Sequence, residues 1–530
     1  MRAPSRLAGI LSLSIMSAVW GACGDDSGDG DAGAERDGSA GDDASTGGTG
    51  GSGGTGGDGD GDGDAGGNGG TAGSDSGADA ASENDAGPVD PGPTAFSGEK
   101  DLDFGTSGVV DTGVSGTGLG LIGVAAGPDD SVLVFASETS TLNRRVYRFS
   151  YDGVHDAAYG TAGYATVTLP GGDGARPFSG NPFATDAQGR AYYVNSARRF
   201  DGVGQVIETF VYRFDDSGQP DAGFGTAGVL TIGGALLTGA DVAAVYSAAL
   251  EVLPDGSMVL AGYVQTTADE NVGTGRKWAV IKLQASGALD TSFNDTGYVL
   301  IDNGERADAL HLLHAAGDGT LYAVGQRADD TGTFAAVKIA EDGTRDMAYG
   351  NEGLAIFSEG ATSLINRIAA DAEGRLVAIG RKEVDALKGH SAYVARLTAG
   401  GELDPSFGTG GVVLLDFITP PFNGQTWDDV LNGLLFEGDS LLVSGFNASR
   451  ISNQDELYTM ARLASDGSPA AGFPFNDSLG ELSTSLTYAG RIDDYRVSGG
   501  SLHILPTPDG EQLIGIGLSN ANQIEFVRWN

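Results

Sequence analysis

Seven near-copies of one sequence unit fill residues 96–530, and a chain that repeats itself in this way must stack like units against like. Each copy carries an aromatic turn motif close to Leu-Asp-x-x-Phe-Gly-x-x-Gly-Val. Its aromatic stands at Phe104, Tyr159, Phe224, Phe293, Tyr349, Phe407 and, degenerately, Phe473. A Gly turn, usually with Asp, then leads into a short apolar run, as in Pro254–Gly262 and Glu373–Gly380. The third motif is a basic residue set between apolar ones, at Arg148, Arg213, Lys282, Lys338, Arg396, Arg462 and Arg528. Residues 96–530 give about 62 residues per unit.

The apolar runs are four to six residues long and bounded by Gly, Asp and Pro, with no sustained helical period. They read as strands, four to a unit. Several four-stranded units in one chain describe a β-propeller, for which four to eight blades are usual. The expected fold is therefore all-β, a seven-bladed propeller over 96–530. The repeated Phe or Tyr is expected to plug the space between blades. The Gly after it is expected to take a backbone angle that other residues dislike.

These units resemble the delta-60 repeat family, whose hallmark is the Leu-Asp-x-x-Phe-Gly-x-x-Gly pattern seen most clearly at Leu403–Gly411. The resemblance covers nearly all of 96–530. It implies a propeller in an extracellular or envelope setting and no particular reaction. The seventh copy, Ala470 to Phe475, lacks the Gly after the aromatic and the closing Gly-Val. Ring closure is expected to be weakest there.

Arg2 and Arg6 precede a short apolar stretch, Leu7 to Val19. It is shorter than the ~20 residues a membrane span needs and reads as a signal peptide over 1–22. The sequence Val19-Trp20-Gly21-Ala22-Cys23 resembles a bacterial lipobox, with Trp20 where an aliphatic residue is usual. The resemblance implies acylation of Cys23, the chain's one cysteine. Residues 24–95 hold 17 acidic residues against Arg36, and Val89 is their one large apolar side chain. Such a stretch cannot offset the entropy of ordering. Residues 23–95 are expected to be a disordered Gly/Asp-rich tether that reaches roughly 45–50 Å as a flexible coil.

Composition excludes several function classes. A formal net charge of −42 opposes binding to nucleic acid. One cysteine permits neither an internal disulfide nor a Cys-rich metal site. The five histidines include His311 and His314, whose spacing on a strand puts them on opposite faces. No metal, cofactor or catalytic residue is assigned. The seven basic residues could form an anion-binding ring, or each could pair with an acidic turn residue such as Asp290 or Asp404. The second, structural reading is preferred, because a feature present in every blade serves the blade. The Asp-Gly turns likewise read as hairpin turns.

The function expected is that of an envelope-anchored lipoprotein whose propeller is a binding or protein-interaction scaffold. Its partners would be a membrane, through the lipid, and an envelope protein or polysaccharide; its location would be the outer membrane. Binding is expected in loops that break the repeat: Leu169–Asn181, Gln265–Lys277, Ile418–Trp427 and Asn447–Asp455. Phe422 and Trp427 are the candidate contacts. The alternative is an extracellular hydrolase or lyase acting on a polysaccharide or ester in the central channel, with Asp371, Asp428 and Asp429 as possible contributors. On the plug reading, Phe224→Ala should lower stability by about 3–5 kcal/mol, measured as the shift in the denaturant midpoint.

Overall fold

Alternating and fully apolar runs pair as antiparallel strands throughout. The computed structural model describes residues 99–116, 119–138, 144–168, 181–200, 205–237, 242–266, 275–302, 310–327, 333–357, 364–385, 389–417, 427–449, 456–470, 502–519 and 523–530. The expected signal peptide over 1–22, Cys23, the expected tether over 23–95, Phe422 and Phe473 lie outside them. So does the side chain of Trp427, whose backbone opens a strand.

The strands form seven antiparallel sheets, each built from consecutive chain segments. The first sheet runs Leu119–Gly127, Ser131–Glu138, Arg144–Ser150 and Tyr164–Val167. The leading strands of the next five are Phe183–Thr185, Ala244–Val252, Leu310–Ala315, Leu364–Ala370 and Trp427–Glu437. His503–Pro506 leads the last. Each leading strand touches the leading strands of both neighbouring sheets, round to contact between His503–Pro506 and Leu119–Gly127. The sheets are therefore the blades of a closed seven-bladed propeller, and the leading strands are its inner ring.

The degenerate seventh motif, with Phe473, lies largely outside the described residues, and the sixth sheet has three described strands where the others have four. The strand after each of the six described aromatic motifs is the fourth strand of a blade. The chain's first such strand, Val109–Ser115, therefore has no blade before it and completes the last one. It pairs with Gln523–Trp529 through Val109 opposite Val527 and Val110 opposite Phe526. Lys100 bridges Trp529 in the same way. The two ends of the repeat region thus meet in the last blade.

The core lies between blades. Phe224, fully buried, packs with Leu250, Leu260 and Ile281 of the following blade. Trp278 and Phe293 pack with Leu310, Leu321 and Val337. The Gly after the plug has the expected strained angle: Gly225 has φ of +54°, and a Cβ there would stand 2.2 Å from the Val229 carbonyl oxygen. Asn294 replaces that Gly at φ +51°, and its side chain donates to Tyr298 O at 2.9 Å. Asn is the residue that best tolerates this region after Gly.

The seven basic residues each pair with a carboxylate, and Arg148, Arg213, Arg396 and Arg528 also reach the next blade. Arg213 Nε donates to Asp221 Oδ2 at 2.8 Å, and its guanidinium lies 4.2 Å from the Phe224 ring centre. Its Nη1 donates to Ala285 O of the next blade at 2.8 Å. Arg396 repeats the arrangement with Asp404 at 2.9 Å, Phe407 at 4.5 Å and Ser465 O at 2.6 Å. Lys282 faces Asp290 at 3.6 Å and Lys338 faces Asp346 at 3.8 Å. Arg528 crosses the closure to Asp101 at 2.8 Å and to the Phe104 ring at 4.4 Å. The structural reading of these residues holds. The Asp-Gly turns are also local: Ser257 N–H donates to Asp255 Oδ1 at 2.8 Å and Thr344 N–H to Asp342 Oδ1 at 2.8 Å.

In the sixth blade the carboxylate eight residues after the cation is missing, because the position is Ala470. Arg462 turns instead to Glu437, which accepts at 2.7 and 2.8 Å. Both side chains are nearly buried, so removing one partner leaves a costly unpaired charge. Glu437→Ala should lower stability by about 3 kcal/mol. Adding Ala470→Asp should recover much of that loss by restoring the pairing used elsewhere. Thermal midpoints of the single and double variants check both outcomes.

Candidate functional site

The inner strands share one backbone device. In five of them the register slips by a residue against the second strand: between Leu121 and Gly123, Ser247 and Ala249, Leu310 and Leu312, Ile365 and Arg367, and Leu431 and Gly433. Each slip is a β-bulge, which re-aims the side chains that follow it. The bulge gives a common frame for comparing blades. The residue after it is Gly123, Ala249, Leu312, Arg367 or Gly433; two further on stands Ala125, Glu251, His314, Ala369 or Leu435. Equivalent positions are thus small or apolar, except Arg367, Glu251 and His314.

These three exceptions belong to one cluster with His503 of the last inner strand and Asn181 of the second blade. Asn181 Nδ2 donates to Glu251 Oε1 at 3.2 Å and to Leu313 O at 3.0 Å, and its Oδ1 accepts from Leu313 N–H at 3.1 Å. Burial raises the Glu251 carboxyl to about 7, against the opposing pull of the Arg367 charge and the Asn181 bond. Burial, reinforced by Arg367, lowers His314 to about 4 and His503 to about 3. Both imidazoles are neutral at physiological pH. Both ring nitrogens of His503 are buried without a hydrogen-bond partner among the described residues.

Arg367 acts on every other charged or titratable member. Burial among the blades lowers its own pKa, and Glu251 works to raise it. Its side chain nonetheless reaches solvent. Among the described residues no hydrogen bond or ion pair holds Arg367, in contrast to the seven paired cations of the repeat.

The other candidates are paired within a blade or across to its neighbour. Asp371 holds Arg375 at 2.6 Å across its own turn. Asp428 accepts from His390 Nδ1 at 2.8 Å and faces Arg381 at 3.9 Å. Asp429 is buried, with its pKa raised by that burial, and accepts from Asn447 at 3.2 Å. The charges of Asp416 and Asp428 add to the rise of the Asp429 pKa. The bulge at His311 breaks the alternation on which the opposite-face argument for His311 and His314 rested. Among the described residues no group of three or more His, Cys, Asp or Glu is placed to hold a metal ion.

Strand direction sorts the connections onto two rims. Turns from first to second strand and links from third to fourth strand share the rim that bears the Arg–Asp–aromatic joints. The strand ends that bracket 169–181, 265–277, 418–427 and 447–455 all stand on the other rim. The interiors of those segments, with Phe422, lie outside the described residues.

Sequence reasoning missed Glu251, His314, Arg367 and His503. The usable signal was a charged or titratable residue where other repeats carry Gly, Ala or Leu, but it emerges only once the bulges set the alignment. A carboxyl raised above its unfolded value contributes stability below that value and loses it as pH rises through the folded one. Glu251→Gln should therefore raise the thermal midpoint at pH 8.5, where native Glu251 is forced to ionise. It should leave the midpoint at pH 4.5 nearly unchanged. Calorimetry at the two pH values distinguishes this from a uniform packing effect.

Comparison with known proteins gives architecture and little else. The family described as "Domain of unknown function (DUF5122) beta-propeller" matches residues 253–293. No curated protein matches the chain. A polysaccharide lyase described as PL25 ulvan lyase aligns with TM-score 0.41 and 10% identity, over 79% of this chain and 94% of that one. A protein of unknown function from Dyadobacter fermentans aligns with TM-score 0.34 and 11% identity, over 64% and 94%. A puromycin-hydrolysing peptidase from Mycobacterium tuberculosis aligns with TM-score 0.38 and 13% identity, over 82% and 55%. At these distances no activity carries over, and the matched family segment supports a β-propeller family.

Proposed function

We propose that the chain is an envelope-displayed binding protein, held to the outer membrane by lipid on Cys23 and presented on the acidic tether. The carrying observation is the division of labour between the rims. Repeated polar residues join blades at one rim, and the connections bracketing residues 169–181, 265–277, 418–427 and 447–455 leave from strand ends at the other. Binding surfaces on rigid scaffolds are carried by such connections. The partner is an envelope protein or polysaccharide, contacted by the segment that contains Phe422 and Trp427.

A channel hydrolase or lyase is the second reading. It is favoured by Glu251, whose pKa near 7 suits proton transfer at physiological pH. Among the described residues no pairing sets a second carboxylate within hydrogen-bond reach of Glu251, whereas Asp428 and Asp429 of the sixth inner strand are held by His390 and Asn447.

Immobilised full-length protein, passed over envelope proteins and polysaccharides, should retain a saturable partner that Phe422→Ala with Trp427→Ala releases. Cys23→Ala should move the protein from the membrane fraction to the soluble one. Retention of nothing, together with turnover of a glycan or ester that Glu251→Gln abolishes, would transfer the function to the channel.

A further inference from the structure

We infer that Asp429, Asn447 and Thr459 form a binding site for a hard divalent cation, calcium, on the face that the sixth blade turns to the fifth. The site uses no residue of 418–427 and rests on neither reading of function given above.

Strand register puts the three side chains on one face of the sheet. Asp429 of the inner strand stands opposite Asn447. Gly445 stands opposite Thr459 with no register shift between, so Thr459 is the diagonal neighbour of Asn447. Residues two apart on a strand share a face. Leu431, Val443 and Ala461 continue that face and pack with Ile379, Ala392 and Phe417 of the fifth blade. Phe417 N–H donates to Asp429. Asp429 is 2% exposed, Asn447 0% and Thr459 2%.

The donor atoms are all oxygens. Asn447 Nδ2 donates to Asp429 Oδ1 at 3.2 Å. Its other amide atom, Oδ1, and Thr459 Oγ1 are buried with no hydrogen-bond partner among the described residues. Buried polar atoms are nearly always paired, and one that is not calls for an ion or a water. A water would satisfy the two neutral oxygens and leave a buried carboxylate uncompensated. No Lys, Arg or His pairs with Asp429 among the described residues. Burial raises its pKa, and the charges of Asp416 and Asp428 add to the rise. A cation answers both needs. Carboxylate, amide and hydroxyl oxygens are ligands of calcium, which accepts irregular geometry at about 2.3–2.6 Å, whereas magnesium demands a near-ideal octahedron. The set has one carboxylate and two neutral oxygens. It is therefore distinct from a site of three or more His, Cys, Asp or Glu, of which the described residues hold none.

The fold does not ask for polar atoms here. Counted from its own bulge, the third blade has Val245 opposite Val264, and Ala279 opposite Gly262. These three are fully buried in apolar core. Asp, Asn and Thr in their place cost stability until something binds them. A bound cation would tie the three described strands of the sixth blade together and, through Asp429 and Phe417, to the fifth.

The test uses the full chain, freed of metal by chelation. Calcium chloride is titrated to about 10 mM, beyond the weakest extracellular calcium sites, against magnesium and sodium chloride at equal ionic strength. The thermal midpoint is read, because a ligand of the folded state raises it saturably. Expected is a saturable rise with calcium that exceeds the rise with magnesium or sodium. Thr459→Val removes only the hydroxyl and should raise the half-saturating concentration at least about tenfold. Residues 23–95, rich in carboxylates, offer calcium a second place, so a triple variant serves as control. Asp429→Val with Asn447→Val and Thr459→Ala copies the third blade and should fold with a midpoint indifferent to calcium. Three results would overturn the inference: no saturable rise, an equal rise with magnesium or sodium, or an equal rise in the triple variant. Should the triple variant not fold, Thr459→Val decides, and an unchanged half-saturation overturns the inference.

Discussion

A guanidinium held between a carboxylate of its own blade, an aromatic face and a carbonyl of the next blade is the joint on which this ring depends. Burying a charge is costly unless it is paired and hydrogen-bonded. The joint meets that condition while spanning two sheets that share no strand pairing. In Arg213 and Arg396 the same cation satisfies Asp221 or Asp404, lies over Phe224 or Phe407, and donates to Ala285 O or Ser465 O of the following blade. The aromatic is at once the cation's platform and the plug of the inter-blade core. Polar registration and apolar packing are thus locked to each other. A blade that slipped along its neighbour would lose both.

The same joint explains how the ends are sealed. Arg528 belongs to the last strand of the chain, while Asp101 and Phe104 precede the strand Val109–Ser115. Strand pairing of Val109 with Val527 closes the sheet, and the Arg528 joint fixes its register. In the sixth blade the requirement for a carboxylate persists although its usual position is Ala470. Glu437, from the turn between the first two strands, supplies it. What the blade demands is a negative charge beside the cation, not a residue at one place in the repeat.

Much of this was legible in the sequence because it is local. The strand runs, the plug at Phe224, the strained Gly225 and the pairing of Lys282 with Asp290 all lie within a single repeat, where spacing fixes geometry. The offset between sequence unit and blade was not legible. It depends on Val109 meeting Val527, a pairing between chain ends that no local pattern encodes. The channel cluster was hidden for a related reason. Asn181, Glu251, His314, Arg367 and His503 come from five different blades, and Arg367 sits among many arginines that serve the repeat. His314 read as an ordinary surface or turn histidine until the bulge at His311 set its register.

Repetition itself supplies the criterion for separating architecture from function here. A residue type found at equivalent positions in every blade answers a demand that every blade makes, and Arg148, Arg213, Arg396 and Arg528 all do so with their partners in place. Arg367 answers no such demand. Its sister positions hold Gly123, Ala249, Leu312 and Gly433, which shows that the ring forms without a cation there. Replacing a small residue by an arginine crowded among inner strands carries a desolvation cost that the fold does not require. Glu251 offsets part of it by charge, but its own ionisation is suppressed by burial.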